Sequence, residues 1–343
     1  MRGMGGALMR AEYAVRAVRE SDLPAVTGMV SAAERSHDPE AGARTEDEFR
    51  REWARMDLAR DAWVVTGPHD GIHGYAQVIP APHEGRVFAD AYTHPEHVGA
   101  GIGTALLDRM EARATVMAAG IASDDEPTRV ALVNYVLLGG AADRMLRARG
   151  YGMTRVHKRM RMALDGPPAA PVWPAEVNVR ACDGTREDLR RVHACVEEAF
   201  ADRWGRARRS YDRWAEDMMY EGFDPALWLV AERAGRIVGA SLCRARQVKG
   251  LAAGEIGQLG VRREARRLGL GRALLLASFA LFAERGAASV GLDVDSESPT
   301  GANLLYEQAG MATTVAIGQL ELELRAGVDP LDRVKTDQPA YGG

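Results

Sequence analysis

Gly260-Val261-Arg262-Arg263-Glu264-Ala265-Arg266-Arg267-Leu268-Gly269-Leu270-Gly271-Arg272-Ala273-Leu274-Leu275 reads as a strand end, a basic glycine loop and a helix start in immediate succession. Gly269 and Gly271 carry no side chain that would keep an anion at a distance, so backbone N–H groups there can converge on one cluster of oxygens. The helix that follows adds the positive end of its dipole. Leu259, Gly260 and Val261 lead the strand into the loop, Leu268 and Leu270 flank Gly269, and Arg262, Arg263, Arg266, Arg267 and Arg272 surround it with charge. The segment reads as a binding site for a small anion.

The pattern occurs twice. Tyr92-Thr93-His94-Pro95-Glu96-His97-Val98-Gly99-Ala100-Gly101-Ile102-Gly103-Thr104-Ala105-Leu106-Leu107 is a second glycine loop, with Gly101 and Gly103 in the places of Gly269 and Gly271. Glu12-Tyr13-Ala14-Val15-Arg16-Ala17 recurs as Glu176-Val177-Asn178-Val179-Arg180-Ala181, each a short strand that opens its half. Two matched pairs in the same order indicate a tandem repeat. The expected division is a loose leader over 1–11, a first domain over 12–164, a proline-rich connector over 165–175, a second domain over 176–325 and a disordered tail over 326–343.

With 343 residues the chain exceeds one ordinary core and suits two. A net charge of −4 and a pI near 6.1 exclude a general nucleic-acid binder despite the local arginines. Cys182, Cys195 and Cys243 show neither C-x-x-C spacing nor an even count, which argues against a disulfide framework or a thiolate zinc site and suits a reducing cytoplasm. The longest apolar run, around Ala273 to Ala283, is shorter than the roughly 18 residues a membrane span requires. A soluble, cytoplasmic protein without an export signal is expected, as monomer or homodimer.

Trp228 to Leu242 reads as two strands around an Ala234–Gly235 turn, and Glu255 to Val261 as the next strand. A helix over about 271–285 stops at Gly286, and Ala288 to Asp293 forms another strand. The fold class is α/β, a mixed sheet flanked by helices in each half, with the glycine loop at its ligand edge. A dinucleotide fold is disfavoured, because Leu274 stands where Gly-x-Gly-x-x-Gly needs its third glycine. Strand alternation puts Glu255, Gly257 and Leu259 on one face and Ile256 and Gln258 on the other. His193 and Cys195, two apart on a helix, point to different sides and do not form a nucleophile pair.

Arg266-x-x-Gly269-x-Gly271 followed by a helix resembles the acetyl-coenzyme A loop of the GCN5-related N-acetyltransferases, whose pattern is Gln/Arg-x-x-Gly-x-Gly/Ala. Pro299-Thr300-Gly301-Ala302-Asn303-Leu304-Leu305-Tyr306-Glu307-Gln308-Ala309-Gly310-Met311 resembles that family's later Asn-Pro-Thr-Gly-Ala helix, with Ser298 in place of its asparagine. The resemblance covers nearly the whole chain as two copies and implies tandem folds of this family, each a mixed, mostly antiparallel sheet. It implies acetyl-coenzyme A held by the 259–272 loop and by Ser298, Gly301 and Ala302, with Glu255 as general base and Tyr306 as general acid. The alternative for Glu255 is a solvated edge carboxylate, and for Tyr306 a core aromatic whose hydroxyl meets a backbone group. Phe200-Ala201-Asp202-Arg203-Trp204-Gly205 resembles an acceptor-binding loop, so Asp202 and Trp204, with Asp293 and Asp295 near a strand end, are candidate contacts to a small-molecule amine. No metal is implied.

The first half departs from this pattern. Val87, Val98 and Leu146 stand at the positions of Glu255, Arg266 and Tyr306, which removes base, clamp and acid together, although Gly101 and Gly103 retain backbone groups that can hold coenzyme A. The expectation is an N-acetyltransferase active in its second half, the alternative a catalytically silent acyl-coenzyme A-binding regulatory protein.

Overall fold

A computed structural model describes residues 8–38, 44–67, 71–122, 126–201, 209–219, 223–297 and 301–332. The chain forms two compact units, 1–155 with 317–343, and 156–316. The elements of the first are β1 (Ala14–Ala17), α1 (Leu23–His37), α2 (Glu46–Trp53), α3 (Leu58–Asp61), β2 (Ala62–Thr66), β3 (Ile72–Ala81), β4 (Arg86–Thr93), α4 (Ile102–Gly120), β5 (Val130–Leu137) and α5 (Ala141–Ala148). Strand β6 (Gly152–Ala163) passes into the second, which continues with β7 (Asn178–Ala181), α6 (Arg186–Ala199), α7 (Tyr211–Met218), β8 (Trp228–Arg233), β9 (Arg236–Val248), β10 (Leu251–Val261), α8 (Leu270–Glu284), β11 (Ser289–Asp295) and α9 (Ala302–Gln308). Strand β12 (Ala312–Arg325) returns to the first.

In the first unit β1, β2, β3 and β4 pair antiparallel in sequence, β4 pairs parallel with β5, and β5 pairs antiparallel with residues 317–325 of β12. The second repeats the scheme: β7, β8, β9 and β10 antiparallel, β10 parallel with β11, and β11 antiparallel with residues 157–163 of β6. The expected mixed α/β sheet is present in both. The compact units do not follow the expected segments 12–164 and 176–325, however, because the closing strand of each sheet comes from the opposite half of the sequence.

Local chemistry explains the elements. Ala234 and Gly235 take positive φ of 50° and 74°, the two-residue turn that matches the twist of paired strands. Lys249 and Gly250 do the same at 52° and 76° and join β9 to β10. Helix α8 runs Leu270–Glu284 and Gly286 follows it at φ 75°, as the sequence indicated. The duplication extends to side chains: Arg16 donates to both Asp22 oxygens at 2.6 and 2.7 Å and to the Ala17 carbonyl at 3.0 Å, and Arg180 donates to both Asp188 oxygens at 2.7 Å and to the Ala181 carbonyl at 3.0 Å.

Two flanking segments differ from expectation. In the connector, Trp173 packs against the cluster of Ala231, Val238, Ala265, Leu270 and Leu274, and 165–169 line a cavity beside α8 and α9, so it is docked on the second unit. Of the tail, 326–332 is ordered: Asp329 accepts from Arg86 at 2.7 Å, and Val328 bonds through its backbone to Pro127 and Arg129. Arg86 is 2% exposed, and a guanidinium buried that deeply needs a carboxylate beside it. Residues 333–343 lie outside the described residues. Among the described residues no helix is long and apolar enough to cross a membrane.

The repeated Arg–Asp pair makes a pH prediction. Its hydrogen bonds from Arg180, more than the opposing effect of burial, hold the Asp188 carboxyl down at about 2. A carboxylate depressed in the folded state contributes stability above its unfolded pKa near 4 and loses it as pH falls toward 2. Asp188→Asn should therefore cost about 1 kcal/mol or more at pH 7, discounted for the solvent around Arg180. The gap in melting temperature from wild type should close between pH 4 and pH 2, and a gap independent of pH would show that the charge is not what matters.

Candidate active site

The parallel register between β10 and β11 consists of Ala253–Ser289, Gly254–Val290 and Glu255–Gly291, beyond which β10 continues to Val261 and β11 to Asp295. On its other side β10 stays paired with β9, but slips by one residue between Ile256 and Gln258. Gly257 is thus an extra residue, and a bulge of this kind bends the strand that carries it. The expected alternation breaks there: Ile256 is 3% exposed in the core and Leu259 also packs against apolar clusters, instead of sharing the face of Glu255.

Glu255 lines a cavity of about 260 Å³ with Asp217, Asp224, Arg244, Gln258 and Asp293 as its other polar residues and Met218, Phe223, Trp228, Leu242 and Cys243 among the apolar ones. Arg244 and Arg246 both form ion pairs with it. Burial opposes the ionised carboxyl, yet the two guanidinium groups outweigh it and hold Glu255 below the usual carboxylate range. Both arginines went unremarked in the sequence. A readable signal existed: a two-residue turn at Lys249–Gly250 fixes the hairpin register and sets Arg244 opposite Glu255.

The glycine loop has the expected form with a different division of labour among its arginines. Gly269 has φ 83°, is exposed, and has open space where a Cβ would stand. Arg266 donates from Nε to the Val261 carbonyl at 3.1 Å and from its terminal nitrogen to the Ala199 carbonyl at 2.9 Å, so its guanidinium joins the strand end to the last turn of α6. Arg262, 6% exposed, donates to the Ile237 carbonyl at 2.8 Å and pairs with Glu198. Gly260 leaves room for α6, since a Cβ there would lie 2.9 Å from Ala199. Arg267, Leu268 and Arg272 are exposed, and Arg272 also borders the cavity lined by 165–169. Arg267 takes φ 61°, a conformation costly for any residue with a Cβ, where the first loop has Gly99 at 85°.

The other predicted residues divide. Asp293 shares the Glu255 cavity and accepts from Arg159 at 3.1 Å. Asp295 is 7% exposed and accepts from the Glu297 amide at 2.9 Å, while Asn303 donates to its carbonyl, which makes it part of the turn leading to α9. Tyr306, 7% exposed, belongs to the apolar cluster with Leu292 and Val294 and is not among the residues lining the Glu255 cavity. Its neighbour Leu305 comes within 3.7 Å of a Cβ built on Gly271, so α9 lies against the loop. Gly301 starts α9 at φ 72°, with Ala302 as its first residue. Asp202, Trp204 and Ser298 lie outside the described residues. All three cysteines are buried, and burial pushes each thiol up to about 11.

In the first unit Val87 and Leu146 are core residues and Val98 is exposed. Gly101 repeats the left-handed conformation at φ 82°, but the backbone of Leu8 and Met9 lies 2.6–2.7 Å from where its Cβ would stand, and Arg10 donates its amide to Ala100 at 3.1 Å. A Cβ at Gly103 would meet only Met145 and Thr93, at 3.8 Å. The segment expected to be a loose leader covers part of the loop.

The sequence profile of the Acetyltransferase (GNAT) family matches residues 190–311, which contain β10, the glycine loop and α9. A mycothiol acetyltransferase from Cellulomonas flavigena is 33% identical over 299 residues, 82% of this chain and 81% of that protein. The chain belongs to the GCN5-related N-acetyltransferase (GNAT) family. Among solved structures, a GNAT protein from Sphaerobacter thermophilus has 31% identity and a TM-score of 0.75, covering 94% of this chain and 99% of that one. A tandem GNAT protein from the clavulanic acid biosynthesis pathway, 18% identical at a TM-score of 0.66 and covering 92% and 99%, has the same fold. As a GNAT enzyme the protein is an N-acetyltransferase that draws its acetyl group from acetyl-coenzyme A.

The strained Arg267 separates charge from structure. Arg267→Gly relieves about 1–2 kcal/mol of backbone strain and raises unfolded-chain entropy by a smaller amount, so thermal stability should hold or rise. Acetyl-coenzyme A affinity, measured by calorimetry, should fall several-fold, more at low salt than at high. Arg266→Ala should do the reverse and lower the melting temperature. Unchanged donor affinity of Arg267→Gly at low salt would remove Arg267 from the anion site.

Proposed function

We propose that the second unit transfers an acetyl group to the primary amine of a small polar molecule held in the Glu255 cavity, and that this acceptor is the amine precursor of mycothiol. The full-length likeness to mycothiol acetyltransferases supports the acceptor, since a second such relative, from Salinispora arenicola, is 32% identical over 85% of this chain and 91% of its own. The cavity suits it chemically: three aspartates, a glutamate, an arginine and a glutamine offer both acceptors and donors to a hydroxylated amine. One observation carries the reading, the placement of Glu255 at the last parallel pair, where β10 and β11 part company.

Acetyl-coenzyme A supplies the electrophilic acetyl group. The backbone N–H groups around Gly269 and Gly271 and the exposed cations Arg267 and Arg272 are the groups that fit its pyrophosphate, and the β10 edge beyond Glu255, left without a β11 partner, offers hydrogen bonds to its arm. Asp293 and Asp217 attract the acceptor as an ammonium ion. Only its neutral fraction attacks, and Glu255 takes the proton that the nitrogen gives up once it has bonded to carbon. Arg244 and Arg246 keep Glu255 ionised until it takes that proton. Tyr306 returns a proton to the sulfur as the carbon–sulfur bond breaks. The first unit serves no donor chemistry in this scheme, because Val87, Val98 and Leu146 exchange no protons and Leu8 and Met9 cover Gly101.

Glu255→Gln and Tyr306→Phe should each lower kcat by roughly 10²–10⁴ near neutral pH with donor affinity nearly intact. Because Glu255 is held below the ordinary range, it stays ionised down to acid pH, so the fall of kcat/KM on the acid side should follow protonation of the acceptor amine and shift with the amine used. Release of free thiol from acetyl-coenzyme A across a panel of amines, with the mycothiol precursor among them, tests the acceptor. Faster turnover of an unrelated amine would refute that assignment, and wild-type kcat in Glu255→Gln would refute the base.

A further inference from the structure

We propose that His94, Glu96 and His97 of the first unit bind a divalent transition-metal ion, with Tyr13 orienting His97, and that this ion clips the N-terminal segment to the first glycine loop. The ligand atoms of the three residues lie within 4.8 Å of one another. Ions of this class sit about 2.0–2.2 Å from nitrogen and carboxylate ligands, so closure requires a shift of about 1 Å, which the exposed Glu96 side chain can make.

The imidazoles are already arranged for ligation. The Tyr13 hydroxyl lies 2.7 Å from Nδ1 of His97, which leaves Nε2 to face the metal with its ring held by a partner on the opposite nitrogen, as ligating histidines generally are. Nδ1 of His94 accepts the Glu96 amide at a long 3.3 Å, so it is the unprotonated nitrogen and its lone pair can be redirected. The His73 ring lies against His97, centroids 3.9 Å apart, and stands edge-on to Tyr13 at 5.8 Å and to His94 at 6.4 Å, forming an aromatic wall behind the ligands. Two imidazoles and a carboxylate with an open position suit zinc, nickel, copper or cobalt rather than magnesium or calcium.

Comparison of the two repeats indicates what the cluster replaces. The His94 amide donates to the His73 carbonyl at 2.9 Å, as the Arg262 amide donates to the Val238 carbonyl at 2.9 Å. The positions held in the second unit by Val238, Arg262 and Ala265 are therefore His73, His94 and His97 in the first. Arg262 secures the second loop through the Ile237 carbonyl and Glu198. The first loop has no arginine there, and a bound ion would secure it instead, while Tyr13 ties in the strand that follows Leu8 and Met9.

The test uses the full-length chain without an affinity tag, stripped with a chelator and titrated with zinc by calorimetry and with cobalt by visible absorption. One equivalent of each should bind, and saturating zinc should raise the melting temperature. His94→Ala with His97→Ala should weaken zinc binding at least 100-fold and abolish the cobalt band, Tyr13→Phe should weaken it about tenfold as an outer-shell loss, and His37→Ala with His83→Ala should leave it unchanged. Absence of stoichiometric binding, or binding that survives the paired substitution at 94 and 97, overturns the proposal. Should that pair fail to fold, Glu96→Gln decides, because the side chain is exposed and unchanged affinity overturns the site equally.

Discussion

The candidate site of the second unit depends on two neighbouring strands that run parallel for three residue pairs and then separate. A continuous sheet would commit each backbone N–H and carbonyl of β10 to a neighbour, with nothing left for a ligand. Because β11 leaves after Glu255–Gly291, one edge of β10 is released beside the glycine loop. The bulge at Gly257 assists the bend, and it explains why Leu259 joins Ile256 against the core while Gln258 lines the cavity with Glu255 and its two arginines.

Those arginines set the charge of Glu255. A lone carboxylate among Phe223, Trp228 and Leu242 would be pushed toward the neutral form, as burial alone does. The ion pairs reverse the sign. In the proposed mechanism such a carboxylate is a weak base, ionised before it acts, suited to receiving a proton from an amine that has become acidic through bond formation and unsuited to stripping one from a free ammonium ion.

Much of this was legible in the sequence where local chemistry decides it. The glycine loop, the Ala234–Gly235 turn, the stop at Gly286 and the duplication depend on short-range conformational rules and came through intact. What escaped depends on distant partners. Arg266 reads as a phosphate clamp until the Ala199 carbonyl is seen to occupy it, and Asp295 as an acceptor contact until the Glu297 amide does. Asp329 looks like the start of a disordered tail because its partner, Arg86, lies far back in the chain. The bulge is a tertiary accommodation that no alternation rule foresees.

The crossing of closing strands has a kinetic side. Leu137 of β5 pairs with Ile317 of β12, so the first sheet lacks a strand until the ribosome has made almost the whole second half. At ordinary elongation rates that delay is roughly 10 to 40 seconds, far longer than a small domain needs to fold. During it β5, which carries the apolar run Val130 to Val133, presents an unpaired edge, the feature most prone to mispairing between nascent chains. Expression of the isolated 12–164 segment would make that transient state permanent, so attempts to produce one half alone would be expected to yield aggregate.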